Sequence, residues 1–234
     1  MIMKIGDALK VYFVMGSTNC RDLDPEKTLY EALEGGVTLF QFREKGVGCL
    51  VGHECIYLGN SLRKLCKQYK VPFIVNDDIE LAIELGADGV HIGQDDRDPL
   101  LTRKQIGHDK WLGISTHSVE EAKQAVKDGA NYIGVGPMYS TKTKADAHAV
   151  VGPELITQIR TSGLSDFPIV GIGGITLENA TNVYKAGANG VAIISGISQA
   201  KSPEQAAAAF RKIGEDSKSK SLQDFCSKLQ KSSQ

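Results

Sequence analysis

The chain has no CxxC pair, no long apolar run and almost no net charge, and each absence removes a class of protein. Its five cysteines, Cys20, Cys49, Cys55, Cys66 and Cys226, are odd in number and lack metal-ligand spacing. Neither a disulfide framework nor a zinc site is expected, and the thiols read as the reduced thiols of a cytoplasmic protein. No apolar stretch reaches the roughly 18 residues of a membrane span. The opening MIMKIGDALKVYFVMG has a short apolar run without a small-residue cleavage site, and reads as a first strand rather than a signal peptide. The net charge is −1, from 27 Lys and Arg against 28 Asp and Glu. Binding along a phosphate backbone needs a basic excess, so nucleic acid is not an expected partner, and neither is a membrane. Small-molecule substrates are the expected partners, and self-association into a homo-oligomer is left open.

What is present is alternation. The 234 residues hold short apolar runs bounded by glycine, each followed by a longer amphipathic stretch. Strands are expected at Val11–Val14, Leu39–Glu44, Phe73–Asn76, Gly89–Ile92, Trp111–Ser115, Tyr132–Val135, Ile169–Ile172 and Val191–Ile194. Helices are expected at Pro25–Glu34, His53–Tyr69, Ile79–Leu85, Leu100–Ile106, Val119–Lys127, Pro153–Thr161, Leu177–Ala186 and Pro203–Ile213. One element recurs as LGADGVHIG, DGANYIGVG and AGANGVAII, with EGGVTLFQF a weaker copy. In each, a helix ends on a glycine cap and a strand begins two or three residues later. Gly35, Gly86, Gly129 and Gly187 are the expected caps, spaced by about two strand–helix units of an eightfold barrel of ~250 residues. A single-domain α/β fold, a (β/α)₈ TIM barrel over residues 1–214, is the expected architecture, with an open doubly wound sheet as the alternative. Residues 215–234 are Ser/Lys-rich and read as a frayed tail or a short helix.

The second strand, FQFREKG, alternates sides. Phe40 and Phe42 face the helices, while Gln41, Arg43 and Lys45 point inward, toward the C-terminal mouth where barrel enzymes carry their sites. Two cations there need a partner, because buried unpaired charge is costly. That partner is an anionic ligand or an internal acid such as Glu44 or a barrel aspartate. Strand three ends in VNDD and strand four in HIGQDD. Asp77 with Glu80 makes a capping-box pattern, yet Asp77 and Asp96 on neighbouring strand ends also offer two carboxylates to one point. Such oxygens, completed by water and substrate phosphates, suit Mg²⁺. Cations, carboxylates and Mg²⁺ together suggest a diphosphate.

Other strand ends add to the mouth. Gly136 to Pro153 is a long polar loop with Lys142 and Lys144, either a lid or a surface loop. GIGGIT after strand seven and IISGIS after strand eight stand where this fold binds phosphate, with Thr176 the expected helix cap. Ser115 reads as a hydrogen-bond donor at the mouth and forms no triad with His117. His53, His91, His108 and His148 show no ligand spacing and read as structural or surface residues.

In order, QFREKG, VNDD, HIGQDD, GISTHS, GPMYSTKTK, GIGGIT and IIS resemble the motifs of the thiamine-phosphate synthases, or thiamin-phosphate pyrophosphorylases. The resemblance covers nearly the whole chain except the tail. It implies a (β/α)₈ barrel enzyme, a transferase. This enzyme joins 4-amino-5-hydroxymethyl-2-methylpyrimidine diphosphate to hydroxyethylthiazole phosphate, or its carboxylated form, and releases pyrophosphate. It also implies that Gln41, Phe42, Arg43, Glu44, Lys45, Asn76, Ser115 and Lys144 contact the pyrimidine diphosphate. Among these, Arg43, Lys45, Ser115 and Lys144 are the implied catalytic residues. Asp77 and Asp96 match the Mg²⁺ ligands. Thr141, Lys142, Thr143, Gly174, Ile194 and Ser195 match the thiazole-phosphate contacts. Ser140 stands where the family pattern has proline, which implies a looser lid. A thiazole tautomerase of the same barrel kin would not need the set Arg43, Lys45, Asp77, Asp96 and Lys144. A non-catalytic thiamine-phosphate binding protein could use every one of these residues.

Overall fold

The computed structural model describes residues 4–20, 24–141 and 149–232, with side chains other than those of 218 and 220–232. Eight parallel strands close in sequence order: β1 (Val11–Met15), β2 (Leu39–Phe42), β3 (Phe73–Asn76), β4 (Gly89–Ile92), β5 (Trp111–Thr116), β6 (Tyr132–Val135), β7 (Ile169–Ile172) and β8 (Gly190–Ile193). Pairing of Val11 with Val191 and of Phe13 with Ile193 joins the first strand to the last. The ladder therefore has no edge, and the open-sheet alternative falls. The crossover helices are α2 (Pro25–Glu34), α3 (Gly52–Tyr69), α4 (Ile79–Glu84), α5 (Pro99–Ile106), α6 (Val119–Lys127), α7 (Glu154–Thr161), α8 (Ala180–Lys185) and α10 (Pro203–Ser232). Two four-residue helices, α1 (Ile5–Ala8) and α9 (Ser195–Ser198), precede β1 and follow β8. Among the described residues no helix is long and apolar enough to cross a membrane.

Alternation along each strand divides the apolar residues between two cores. Inside the barrel, Leu9, Tyr12, Val14, Leu39, Ile74, Tyr132, Val170 and Ala192 pack together. Outside it, Phe13, Phe40, Phe42, Phe73, Val75, Ile133 and their neighbours pack under the helices. Phe40 and Phe42 are on that outer side, as their spacing predicts. Cys20, Cys55 and Cys66 are buried free thiols, and burial pushes Cys20 and Cys55 up to about 11, so they stay protonated.

Three boundaries differ from the sequence expectation by more than one residue. β2 stops at Phe42, so Arg43 and Glu44 leave the strand. There the chain packs closely on the end of β1: a Cβ on Gly16 would stand 2.1 Å from the Arg43 carbonyl oxygen. α8 begins at Ala180, because the Asn179 amide reaches back to Thr176 N–H (2.8 Å) and Gly174 O (3.0 Å) and holds the preceding turn. Thr176 therefore does not cap that helix. α10 continues past Ile213 to Ser232 as one helix.

The recurring element has a structural explanation at the foot of the barrel. Its aligned glycines are Gly36, Gly86, Gly129 and Gly187, with φ of +94°, +59°, +86° and +105°. Gly35, the expected cap, keeps a right-handed φ of −71°. It is instead a close-packing position, since a Cβ there would lie 2.2 Å from Glu204 O of α10. Two residues after each aligned glycine stands a polar side chain that accepts the N–H at the start of the preceding odd strand. Thr38 takes Val11 N (2.8 Å), Asp88 takes Phe73 N (2.8 Å), Asn131 takes Leu112 N (2.8 Å) and Asn189 takes Ile169 N (2.9 Å). Each glycine also carries an arginine against it, from the helix that follows an even strand: Arg211 on Gly36, Arg63 on Gly86, Arg103 on Gly129 and Arg160 on Gly187.

Arg103 and Arg160 go furthest. Arg160 donates to the carbonyls of Gly187, Leu164 and Phe167 and to Asn189 Oδ1 (2.9 Å). Arg103 donates to the carbonyls of Gly107, Lys110 and Gly129 and to Asn131 Oδ1 (2.6 Å). A planar fork that satisfies several carbonyls is not replaced by an ammonium. Arg160→Ala should therefore destabilise the fold by about 2–3 kcal/mol, the size of several lost charge-assisted bonds with carbonyls left behind. Arg160→Lys should recover less than half of that. Urea titration of the three proteins checks it, and equal midpoints for Lys and Arg would contradict it.

Candidate active site

The barrel mouth opens into a cavity of about 390 Å³ lined by residues from the ends of β2 to β7. Arg43, Lys45, Asn76, Asp77, Asp96, Ser115 and Thr141 all line it. Its centre is an ionic clasp. Lys45 Nζ donates to Asp77 Oδ2 (2.8 Å) and Asp96 Oδ1 (2.9 Å), joining the loops after β2, β3 and β4.

Local backbone aims both carboxylates. Asp77 sits at φ +58°, a left-handed conformation that costs a non-glycine residue on the order of 1 kcal/mol. That bend takes Asp77 off the axis of α4, and Asp78 caps the helix instead, accepting Leu81 N–H at 2.9 Å. The capping-box expectation for Asp77 is thus corrected, and its carboxylate is released to the mouth. Asp96 Oδ2 accepts Gly93 N–H at 3.1 Å, which leaves Oδ1 for Lys45. Burial opposes the Lys45 charge, but its bonds to the two carboxylates outweigh that and hold the ammonium above the usual lysine range. Burial raises Asp77 above the usual carboxylate range, against the Lys45 bond, and the like charge of Asp96 adds to the rise. At Asp96 burial is outweighed by the bonds with Lys45, Asp77 and Gly93, and the carboxyl lies below its usual range. One ammonium does not fully relieve two facing carboxylates.

The FQFREK residues divide among three places. Arg43 and Lys45 reach the cavity. Gln41 lies within the barrel, 3 % exposed, with its Nε2 donating to the Tyr12 hydroxyl. Phe42 and Glu44 are not among the residues that line the cavity. Phe42 is packed against Phe73 in the outer core. Glu44 accepts Ser17 N–H (2.8 Å), the Ser17 hydroxyl and Leu50 N–H (2.8 Å), so it ties the loop after β1 to the loop after β2.

Two histidines read as structural or unused also reach the cavity, His91 and His117. His91 is buried inside β4, with Nε2 3.0 Å from Ser115 Oγ and Nδ1 3.1 Å from the Tyr132 hydroxyl. The signal that would have found it is glycine in mid-strand. A Cβ on Gly113 would collide with His91 and Tyr132, and one on Gly134 would lie 3.1 Å from His91 Cε1. Gln94 also lines the mouth, donating to Ser115 O at 2.6 Å.

A second, smaller cleft lies at the ends of β7 and β8 and brings together Thr141, Gly174, Ile194 and Ser195. It shares Thr141, Ile172 and Gly173 with the main cavity, so the two are continuous. Gly173 and Gly174 have φ of +96° and +63°, and Met138 N–H and Tyr139 N–H bond to Ile172 O (2.8 Å) and Gly173 O (3.0 Å). Lys142, Thr143 and Lys144 lie outside the described residues.

The donor chemistry fits a hard cation. Asp77 and Asp96 already converge on one cationic nitrogen, and their oxygens are of the kind Mg²⁺ takes. Among the described residues no group of three or more His, Cys, Asp or Glu gathers as a metal cage. A metal here would be held by two carboxylates, with other oxygens completing its shell.

Comparison with known proteins agrees with this geometry. The family described as thiamine monophosphate synthase matches residues 11–197. A thiamine-phosphate synthase of Bacillus cereus is 52% identical over 217 residues, covering 93% of this chain and 96% of that protein. Its counterpart in Bacillus licheniformis is 55% identical over 204 residues, covering 87% of this chain and 90% of that protein. A solved structure of thiamine phosphate pyrophosphorylase from Pyrococcus furiosus superposes with a TM-score of 0.80 at 33% identity, covering 91% of this chain and 98% of that one. With a family match that spans the barrel and relatives above half identity along most of their length, the chain belongs to the thiamine monophosphate synthase family.

Proposed function

We propose that this chain is a transferase that joins a pyrimidine methyl diphosphate to a thiazole phosphate, forming thiamine phosphate and releasing pyrophosphate. The observation that carries the reading is the Lys45 ammonium held between Asp77 and Asp96 in a cavity that Arg43 also lines. A site built to bind and release a diphosphate needs fixed cations and a place for a metal, and these residues supply both.

The chemistry follows from charge. The 4-amino group of the pyrimidine pushes electrons toward its exocyclic CH₂. The C–O bond breaks, its electron pair leaves with the diphosphate, and a resonance-stabilised cation remains. The neutral thiazole nitrogen then forms the C–N bond, with no proton to remove. This accounts for a site whose central groups are charges rather than a general base. Arg43 and Lys45 bind the diphosphate oxygens and stabilise charge as it develops on them. Asp77 and Asp96 would hold Mg²⁺, which when bound supplies Lewis-acid neutralisation of the departing diphosphate. The glycine turn at Gly173 and Gly174, with Ser195, holds the thiazole phosphate in the adjoining cleft, so both substrates meet near Thr141. Lys142, Thr143 and Lys144 belong to the same reading through the family pattern. Incubation with both substrates and Mg²⁺ should yield pyrophosphate and thiamine phosphate in equal amounts. Tight binding of thiamine phosphate without turnover would point instead to a non-catalytic binder.

EDTA should abolish turnover and added Mg²⁺ restore it, whereas full activity in metal-free buffer would contradict the two-carboxylate site. Asp96→Ala should lower kcat by ~10²-fold, the scale of one lost electrostatic contact to the transition state. It should leave the unfolding temperature nearly unchanged, because Asp96 is partly exposed and on a loop. At Gly174 a Cβ would stand 2.5 Å from Ser140 O and 2.7 Å from Tyr139 O. Gly174→Ala should therefore raise KM for the thiazole phosphate more than KM for the pyrimidine diphosphate. Steady-state kinetics with each substrate varied in turn checks both variants, and the opposite KM pattern would move the glycine turn to the diphosphate side.

A further inference from the structure

From the cavity lining inward, five polar side chains from five strands touch in a continuous line through the barrel. Gln41 Nε2 lies 2.6 Å from the Tyr12 hydroxyl, Tyr12 and Tyr132 hydroxyls are 2.8 Å apart, Tyr132 is 3.1 Å from His91 Nδ1, and His91 Nε2 is 3.0 Å from Ser115 Oγ. Four of the five are buried, Tyr12 and Tyr132 almost completely. We infer that this line is a one-way hydrogen-bond relay, which fixes the Ser115 hydroxyl as a donor into the cavity and makes Tyr12, Tyr132 and His91 positioning residues for the site.

The direction follows from what each group can do. An amide nitrogen only donates, so the Tyr12 oxygen accepts from Gln41. Among the described residues the Tyr12 hydrogen then has one bonded acceptor, the Tyr132 oxygen. Tyr132 passes its own hydrogen to His91 Nδ1, which makes the imidazole neutral with its proton on Nε2. That proton is donated to Ser115 Oγ. The serine oxygen is thereby occupied as an acceptor, and its own hydrogen points away from the relay. Run backwards with the same amide, the line would strand the Tyr12 O–H inside the barrel, a cost a buried hydroxyl rarely bears. Burial raises both phenols far above their ordinary range, so the two hydroxyls keep their hydrogens.

Ser115 therefore selects its ligand atom. It meets an acceptor, such as a pyrimidine ring nitrogen or a diphosphate oxygen, and disfavours a donor. Turning the Gln41 amide over would reverse every bond in the line and convert Ser115 into an acceptor, so Gln41 sets the polarity of a hydroxyl four hydrogen bonds away. The identity of the ligand at Ser115 rests on the function proposed above; the relay and its direction do not.

The two are tested separately. In ¹⁵N-histidine NMR of the free protein, with the His91 signal assigned from the His91→Ala spectrum, the relay predicts a pyrrole-type Nε2 and a pyridine-type Nδ1. An Nδ1–H tautomer or an imidazolium at neutral pH would overturn the direction. In kinetics, Tyr132→Phe should lower kcat/KM for the pyrimidine diphosphate by roughly 10-fold, the size of one lost hydrogen bond, with KM for the thiazole phosphate little changed. In a Ser115→Ala background the same substitution should change kcat/KM less than about twofold, because the relay would have nothing left to orient. Equal effects in both backgrounds would assign Tyr132 a purely structural role and overturn the positioning claim. Absence of turnover in the unmodified protein would refute the proposed function, and the NMR result would still decide the relay.

Discussion

Everything at the mouth of this barrel depends on closing a ladder of eight short strands, most of them four residues long. Strands this short bring few hydrogen bonds each, so the ladder holds only if it runs all the way round and its ends are anchored. The foot of the barrel meets that constraint four times over. Thr38, Asp88, Asn131 and Asn189 each take an N–H from the first or second residue of a neighbouring strand, next to a left-handed glycine and an arginine from an adjacent helix. Register set at the foot is carried up the strands to the mouth. A slip of one residue would turn Gln41 and His91 outward and bring Phe40 and Phe42 inside.

At the opposite end the constraint is charge. Two carboxylates are brought together by a strained Asp77 and a tethered Asp96, and an ammonium sits between them. The α4 cap and the loops after β1 and β2 are held by other acids, Asp78 and Glu44. The strain at Asp77 is stored where charge is needed, a familiar location for such strain. Lys45 bridges the two acids in the free protein. It is also the group that a diphosphate would draw toward itself. The clasp thus describes a site in its resting state, with the same three side chains arranged to exchange partners.

Much of this was legible in the sequence because the relevant physics is local. Strand period, glycine caps and the repeated GAD and GAN elements read out the barrel, and the polar side of FQFREK pointed to the mouth. What was misread depended on contacts distant in the chain. Gly35 and Gly36 look alike as letters, and only the approach of α10 separates the packed one from the capping one. Asp77 and Asp78 are both plausible caps, and backbone handedness decides between them. His91 looked like a lone histidine in an apolar run, because its partners Tyr132 and Ser115 come from strands 41 and 24 residues on. For Lys45 the sequence left open an anionic ligand or an internal acid, and in the structure its partners are the two acids read as metal ligands.

The claim at the centre of this account is that Lys45 occupies the cation position defined by Asp77 and Asp96. Calorimetric titration of Mg²⁺ into the substrate-free protein and into Lys45→Met tests it without reference to turnover. If the ammonium is the resident cation, removing it leaves two facing carboxylates unneutralised, and Mg²⁺ should bind the variant more tightly, while inorganic pyrophosphate binds it more weakly. Weaker Mg²⁺ binding by Lys45→Met, in a variant with unchanged thermal stability, would contradict the shared position and require the metal to be held elsewhere.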